Sequence, residues 1–120
     1  MRQRIVTMCQ GGEVRSVALK RLLGRGLGRD VIACGWEVNT LATREMLFAW
    51  ADTIIILQSN MEEHVPEKYH NNPDGTRRLF CYDVGPDIWS SSHHPDLIAR
   101  LIKMIEDSRH LWVQLSVEVP

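Results

Sequence analysis

Cys9 and Arg15 are separated by five residues, Gln10, Gly11, Gly12, Glu13 and Val14, and Ser16 follows at once. A thiol becomes a strong nucleophile as a thiolate, a form favoured by a nearby cation and by a helix N-terminus. A guanidinium offers two oxygens of a phosphate a planar fork that an ammonium cannot match. Between thiol and fork, the backbone N–H groups of a turn leading into a helix point into one concavity and favour an anion there. The paired glycines let such a turn take positive φ and come close to a ligand. Thiol, fork and cradle together read as a nucleophile inside a phosphate site, with Ser16 placed to donate a hydrogen bond to the Cys9 sulfur.

This chemistry needs Cys9 at the point where a strand ends and a helix is about to begin. Arg4–Met8 is a short apolar and β-branched run that suits a buried strand, and Val17–Leu23 suits a helix. The glycines at 24, 26 and 28 stop that helix near Gly24, and Val31–Cys34 then reads as a second strand. Strand, loop, helix, strand at this spacing predicts a right-handed βαβ unit with a parallel pair. Helix formers over Leu41–Ala51 predict a second helix, and Thr53–Leu57, with four large aliphatic residues in succession, a strand buried on both faces. Ser59 and Glu62 match a capping box for a short helix through about Val65, closed by Pro66. After the Pro73-Asp74-Gly75 turn, Arg77–Tyr82 is the expected fourth strand. Pro95 suits the first turn of a helix over Asp96–Glu106, whose Leu97, Ile98, Leu101, Ile102 and Ile105 share one face. The tail from Leu111 to Pro120 alternates apolar and polar residues as an amphipathic strand, at a sheet edge or at a dimer contact.

In a parallel sheet the loops after the strand ends share one edge, so Asp83–Trp89 can meet the loop that carries Cys9. With these two segments in place, the chain resembles the low-molecular-weight protein tyrosine phosphatases as a short, divergent member. Cys-x5-Arg-Ser after the first strand and the helix-Ala51-Asp52-strand passage carry the likeness over about residues 4 to 107. The resemblance implies a three-layer α/β/α fold with a four-stranded parallel sheet, phosphotyrosine phosphatase I-like. It further implies a phosphatase acting through a phosphocysteine intermediate, with no metal or other cofactor. In that family an aspartate following a proline is the proton donor, which here is Asp87, with Asp83 as an upstream acidic residue whose plainer role is a turn. Gln10, Gly11, Gly12, Glu13, Val14 and Ser16 would line the phosphate. Trp36 and Trp89 stand where the resemblance places the walls of the substrate crevice, and the plainer role of Trp36 is packing beside a strand end. The chain departs from the family at Gly12, commonly asparagine; at Glu13, expected to face solvent; at Val14, in place of a second cysteine; and at Asp87-Ile88-Trp89, in place of Asp-Pro-Tyr.

At 120 residues the chain is the size of one domain, expected to span 1–120. A net charge of -1 lacks the basic excess of a nucleic-acid binder. No stretch approaches a membrane span and no signal peptide is evident, so a cytoplasmic location is expected. Three cysteines, at 9, 34 and 81, form no CxxC pair and point away from a disulfide framework or a zinc site. Adjacent His93 and His94 have no completing ligand set for a metal. The expected partner is a phosphorylated protein carrying phosphotyrosine, or a small phosphate monoester; the oligomeric state is unknown. Other readings of Cys9 are a non-catalytic phosphate-binding module, an arsenate reductase with a cysteine relay, a phosphocysteine carrier of a sugar transport system, and a buried small hydrophobe.

Overall fold

The structure, a computed structural model, describes residues 3–24, 29–86 and 88–108. Four strands, β1 (Gln3–Cys9), β2 (Arg29–Gly35), β3 (Thr53–Ile56) and β4 (Leu79–Cys81), form one parallel sheet in the order β2-β1-β3-β4. β1 and β3 are central. Ile5 to Cys9 and Thr53 to Leu57 are therefore buried without interruption, as their aliphatic runs require. Three helices accompany the sheet: α1 (Arg15–Leu23), α2 (Leu41–Trp50) and α3 (Pro95–Asp107). α1 packs on β1 and β2 and meets α3, while α2 packs against β1.

Alternation along β1 assigns the two faces. Thr7 and Cys9 turn towards α1, where the Thr7 hydroxyl donates to the Ser16 carbonyl at 2.8 Å. Met8 faces the other way, and so does Cys34, its partner in register on β2.

The element order matches the sequence expectation, and the differences lie at boundaries. β2 is longer than Val31–Cys34 because pairing with β1 runs from Arg29 to Gly35. β4 is shorter than Arg77–Tyr82, since only Leu79–Cys81 pairs with β3. The predicted capping box at Ser59 does not form. The segment Ser59–His64 is a 3₁₀ helix, and the Ser59 N–H donates to the Asp83 carboxylate instead. α2 is capped by Thr40, whose hydroxyl oxygen accepts from the Thr43 N–H. α3 opens with Pro95, and His94 Nδ1 accepts from the Asp96 N–H at 3.2 Å. Leu97, Leu101 and Ile105, one turn apart, are the buried residues of this helix. The predicted tail strand lies outside the described residues.

Candidate active site

In this strand order the chain moves from β1 outward to β2 and then crosses back to β3, so the connections after β1 and β3 leave in opposite directions. The crevice of an open parallel sheet lies at that reversal, beyond the carboxyl ends of the strands. Cys9 ends β1 there, and Gln58 follows β3 beside it.

The turn from Cys9 to α1 is shaped mainly by the backbone. Gly12 has φ of +71°, a left-handed conformation that glycine adopts without strain. Its N–H donates to Cys9 Sγ at 3.2 Å. Gly11, by contrast, is not among the glycines with positive φ, so only one of the pair supplies that conformation. On the flank, the N–H groups of Trp36 and Glu37 donate to the carbonyls of Cys9 and Gln10, each at 3.1 Å. The loop thus continues the pairing of β1 with β2 beyond the strands. It comes so close to β2 that a Cβ on Gly35 would lie 2.5 Å from Gly11 C and from Gly12 N. Asn39 holds Gly35 in turn, its Oδ1 accepting from the Gly35 N–H at 2.9 Å. Close backbone packing against Gly35 braces the turn at Gly12, where an added Cβ would lie 2.8 Å from Gly35 N.

Cys9 is almost fully buried, and its sulfur lies 3.1 Å from Ser16 Oγ. Arg15 opens α1 and is wholly buried. A buried guanidinium is tolerated only when hydrogen-bonded. Arg15 Nη1 donates to Gln58 Oε1 at 2.9 Å and to the Gly85 carbonyl at 2.7 Å. The guanidinium predicted from Cys-x5-Arg is therefore tied to the loops after β3 and β4. Glu13 is exposed, as expected, and Val14 is the N-cap residue of α1. Gln10 Nε2 donates to Glu37 Oε1, which places a second carboxylate on the rim.

The loop after β4 holds the remaining predicted residues. Asp83 accepts from the Gly85 N–H at 2.8 Å and from the Ser59 N–H at 3.1 Å. These N–H groups, that of Gly85 first, hold its carboxyl below the usual range, so Asp83 is an anionic clamp between two loops and poorly suited to donate a proton. Asp87 lies outside the described residues. Trp89 is half-buried and meets His94 edge-on, with ring centroids 5.2 Å apart. Trp36 is half-buried against the core and stacks on His64, with centroids 4.0 Å apart and planes 8° from parallel. The structure thus brings together Cys9, Arg15, Ser16 and the loop between them, and engages one face of Trp36 with His64.

Cys34 is the nearest other thiol in register, yet its side chain is on the opposite sheet face from Cys9. Burial pushes it up to about 12, Cys9 adds to the rise and Arg44 opposes it. Cys81, at the end of β4, is pushed by burial, with help from Asp83 and Glu62, up to about 11. Neither is poised as the second member of a thiol relay. His93 is engaged by Arg21, whose Nη1 lies 2.9 and 2.8 Å from its ring nitrogens, and His94 caps α3.

Sequence reasoning missed Gly35, Asn39 and Gln58. A glycine at the end of a strand signals close backbone approach, and that signal was there to be read at Gly35. Nothing local marks Gln58, because its role depends on a residue 43 positions away.

A four-stranded parallel sheet flanked by helices, with a cysteine at the turn after its first strand, defines an α/β fold shared with a phosphatase of known structure. That structure is the YwlE arginine phosphatase from Geobacillus stearothermophilus, 14% identical, with a TM-score of 0.60 over 93% of this chain and 96% of that one. At this identity the likeness is one of fold. No family model matches the chain, and no curated protein matches it in sequence. Among the described residues no helix is long and apolar enough to cross a membrane.

Proposed function

We propose that the chain is a cysteine-dependent phosphatase that hydrolyses phosphate monoesters, phosphotyrosine in proteins foremost, through a phosphocysteine intermediate. The observation that carries this reading is the convergence of Cys9 Sγ with Ser16 Oγ at 3.1 Å and the buried Arg15 at the end of the same turn. A structural cysteine at a strand end needs neither a buried guanidinium nor a glycine-shaped turn.

In the first half-reaction the Cys9 thiolate attacks phosphorus in line with the leaving oxygen. The S–P bond forms, the P–O bond breaks, and Asp87 gives its proton to the departing oxygen. Loop amides and Arg15 stabilise the equatorial oxygens as charge develops. In the second, water attacks phosphorus and passes a proton to the Asp87 carboxylate. The S–P bond breaks, and a hydrogen bond from Ser16 makes the returning thiolate a better leaving group.

The test is hydrolysis of an aryl phosphate without added metal by the native chain and by Cys9→Ser, Arg15→Ala and Asp87→Asn. Activity abolished by Cys9→Ser and sharply reduced by the other two is expected. A native chain that binds phosphate through Arg15 without turning over is a phosphate-binding module instead.

A second substrate class is phosphoarginine in proteins. It is favoured by the named activity of the structural neighbour and by exposed Glu13 and Glu37 around the turn, which suit a substrate carrying a guanidinium. Parallel assays on phosphotyrosine and phosphoarginine peptides decide between the two.

A further inference from the structure

We infer that Gln58 is a positioning residue for the phosphate-binding arginine, an inference that rests on the phosphatase reading above. Gln58 precedes the 3₁₀ helix Ser59–His64, a position where side chains usually cap backbone N–H groups, but its side chain makes no cap there. The Ser59 N–H is taken by Asp83 instead. The Gln58 amide is thereby committed to Arg15, whose Nη1 donates to it at 2.9 Å. A guanidinium has no acceptor, so the atom facing it is the amide oxygen.

Orientation follows from geometry. Guanidinium is planar, and two acceptors on Nη1, Gln58 Oε1 and the Gly85 carbonyl, fix both its position and the plane in which it lies. The side-on fork that an arginine offers to phosphate oxygens is its Nε–Nη2 edge, so a plane fixed at Nη1 is a fork aimed in advance. A neutral amide does this without cancelling the positive charge that the phosphate needs. A carboxylate at the same place would supply the acceptor but oppose the anion. Gln58 thus gives the guanidinium a second acceptor on the nitrogen that already donates to the Gly85 carbonyl, from a different loop.

The experiment compares the native chain with Gln58→Met, which keeps length and volume but loses the acceptor, and with Gln58→Glu, which keeps the acceptor and adds charge. Each is measured for kcat and KM on an aryl phosphate, for inhibition or binding by inorganic phosphate, and for the thermal midpoint. Gln58→Met is expected to lower kcat about tenfold and weaken phosphate binding, the scale of one hydrogen bond to a charged group, and to lower the thermal midpoint by a few degrees while the chain stays folded at the assay temperature. Gln58→Glu is expected to recover kcat in part while binding inorganic phosphate more weakly than the native chain. Native kcat and native phosphate binding in Gln58→Met would overturn the inference, as would a loss that tracks the thermal midpoint alone. A native chain that binds phosphate but hydrolyses nothing defeats the phosphatase reading only, and phosphate binding by Gln58→Met then still decides the role of Gln58.

Discussion

The two loops that meet at Arg15 are built on different principles. The loop after β1 is held by backbone: N–H groups of Trp36 and Glu37 on its carbonyls, the Gly12 N–H on the sulfur, and Gly35 close beneath. The loop after β4 is held largely by charged side chains, with Asp83 accepting from Gly85 and Ser59, Arg15 donating to the Gly85 carbonyl, and Arg100 reaching the Val84 carbonyl at 3.4 Å. Backbone bracing depends on shape, so it is broken by added volume and is insensitive to pH and salt. Charged bracing depends on ionisation and solvent, so single isosteric changes and acid loosen it. Cys9 thus sits on the rigid side, and the segment from Asp83 to Gly85 on the adjustable one.

The largest expected effect breaks the backbone side. In Gly35→Ala the new methyl must lie 2.5 Å from two backbone atoms and 2.8 Å from the Gln10 carbonyl oxygen, and backbone cannot swing aside as a side chain can. Overpacking of this kind costs about 1–3 kcal/mol in stability. Displacing a reacting group by about 1 Å costs about a hundredfold in rate, so kcat/KM on an aryl phosphate should fall by about that factor. Gly11→Ala provides the contrast, since no atom lies within 4 Å of its would-be Cβ and its φ is not positive. Its loss should stay below about tenfold, within the scale of a single modest interaction. Equal losses for the two substitutions would refute bracing by shape.

On the charged side the effect is smaller and depends on pH. Asp83→Asn keeps one oxygen acceptor and removes the charge, and should reduce aryl phosphate turnover about fivefold, the scale of one net hydrogen bond. The folded carboxyl is held below its ordinary value of 3.8. Its contribution to stability is therefore present above that value and lost as pH falls through the lower folded value, because the unfolded chain takes up the proton first. Acid unfolding of the native chain and of Asp83→Asn should accordingly converge at low pH. The group is exposed, so the difference at neutral pH should also shrink with added salt. A difference that persists at acid pH or in high salt would mean that the loop is held some other way.

Much of this was legible from sequence for a physical reason. Apolar runs such as Thr53–Leu57 and the Leu97-Leu101-Ile105 spacing record burial directly, so strands, helices and their parallel arrangement could be read from them. Cys9, Arg15 and Ser16 were legible because their spacing is local to one turn. What escaped were contacts between distant segments. Ser59 looked like a cap for its own helix, but the Asp83 carboxylate competes for its N–H. Gln58, which no local pattern marks, holds Arg15 across 43 positions. Trp36 had two readings, and its stack on His64 depends on a second loop that the sequence does not place beside it.

A final contrast separates the two thiols at the base of the rigid side. Cys9 and Cys34 lie on adjacent strands, but alternation sends them to opposite faces, and burial pushes Cys34 from an ordinary 9.0 up to about 12. Below 9.0 the thiol is neutral in both folded and unfolded chains and pH has no leverage through it. Above that value the unfolded chain loses the proton first, so stability falls as pH rises towards 12, by up to about 1.4 kcal/mol per pH unit. Denaturant unfolding at pH 8 and pH 10.5, compared between the native chain and Cys34→Ala, isolates this effect. The alkaline loss should be smaller in the variant, while iodoacetamide at pH 8 should leave Cys34 unmodified in the folded chain. An equal alkaline loss in both, or ready alkylation of Cys34, would mean that the sheet face behind Cys9 opens to solvent. The shape-based bracing of the loop would then lose the rigid base on which it depends.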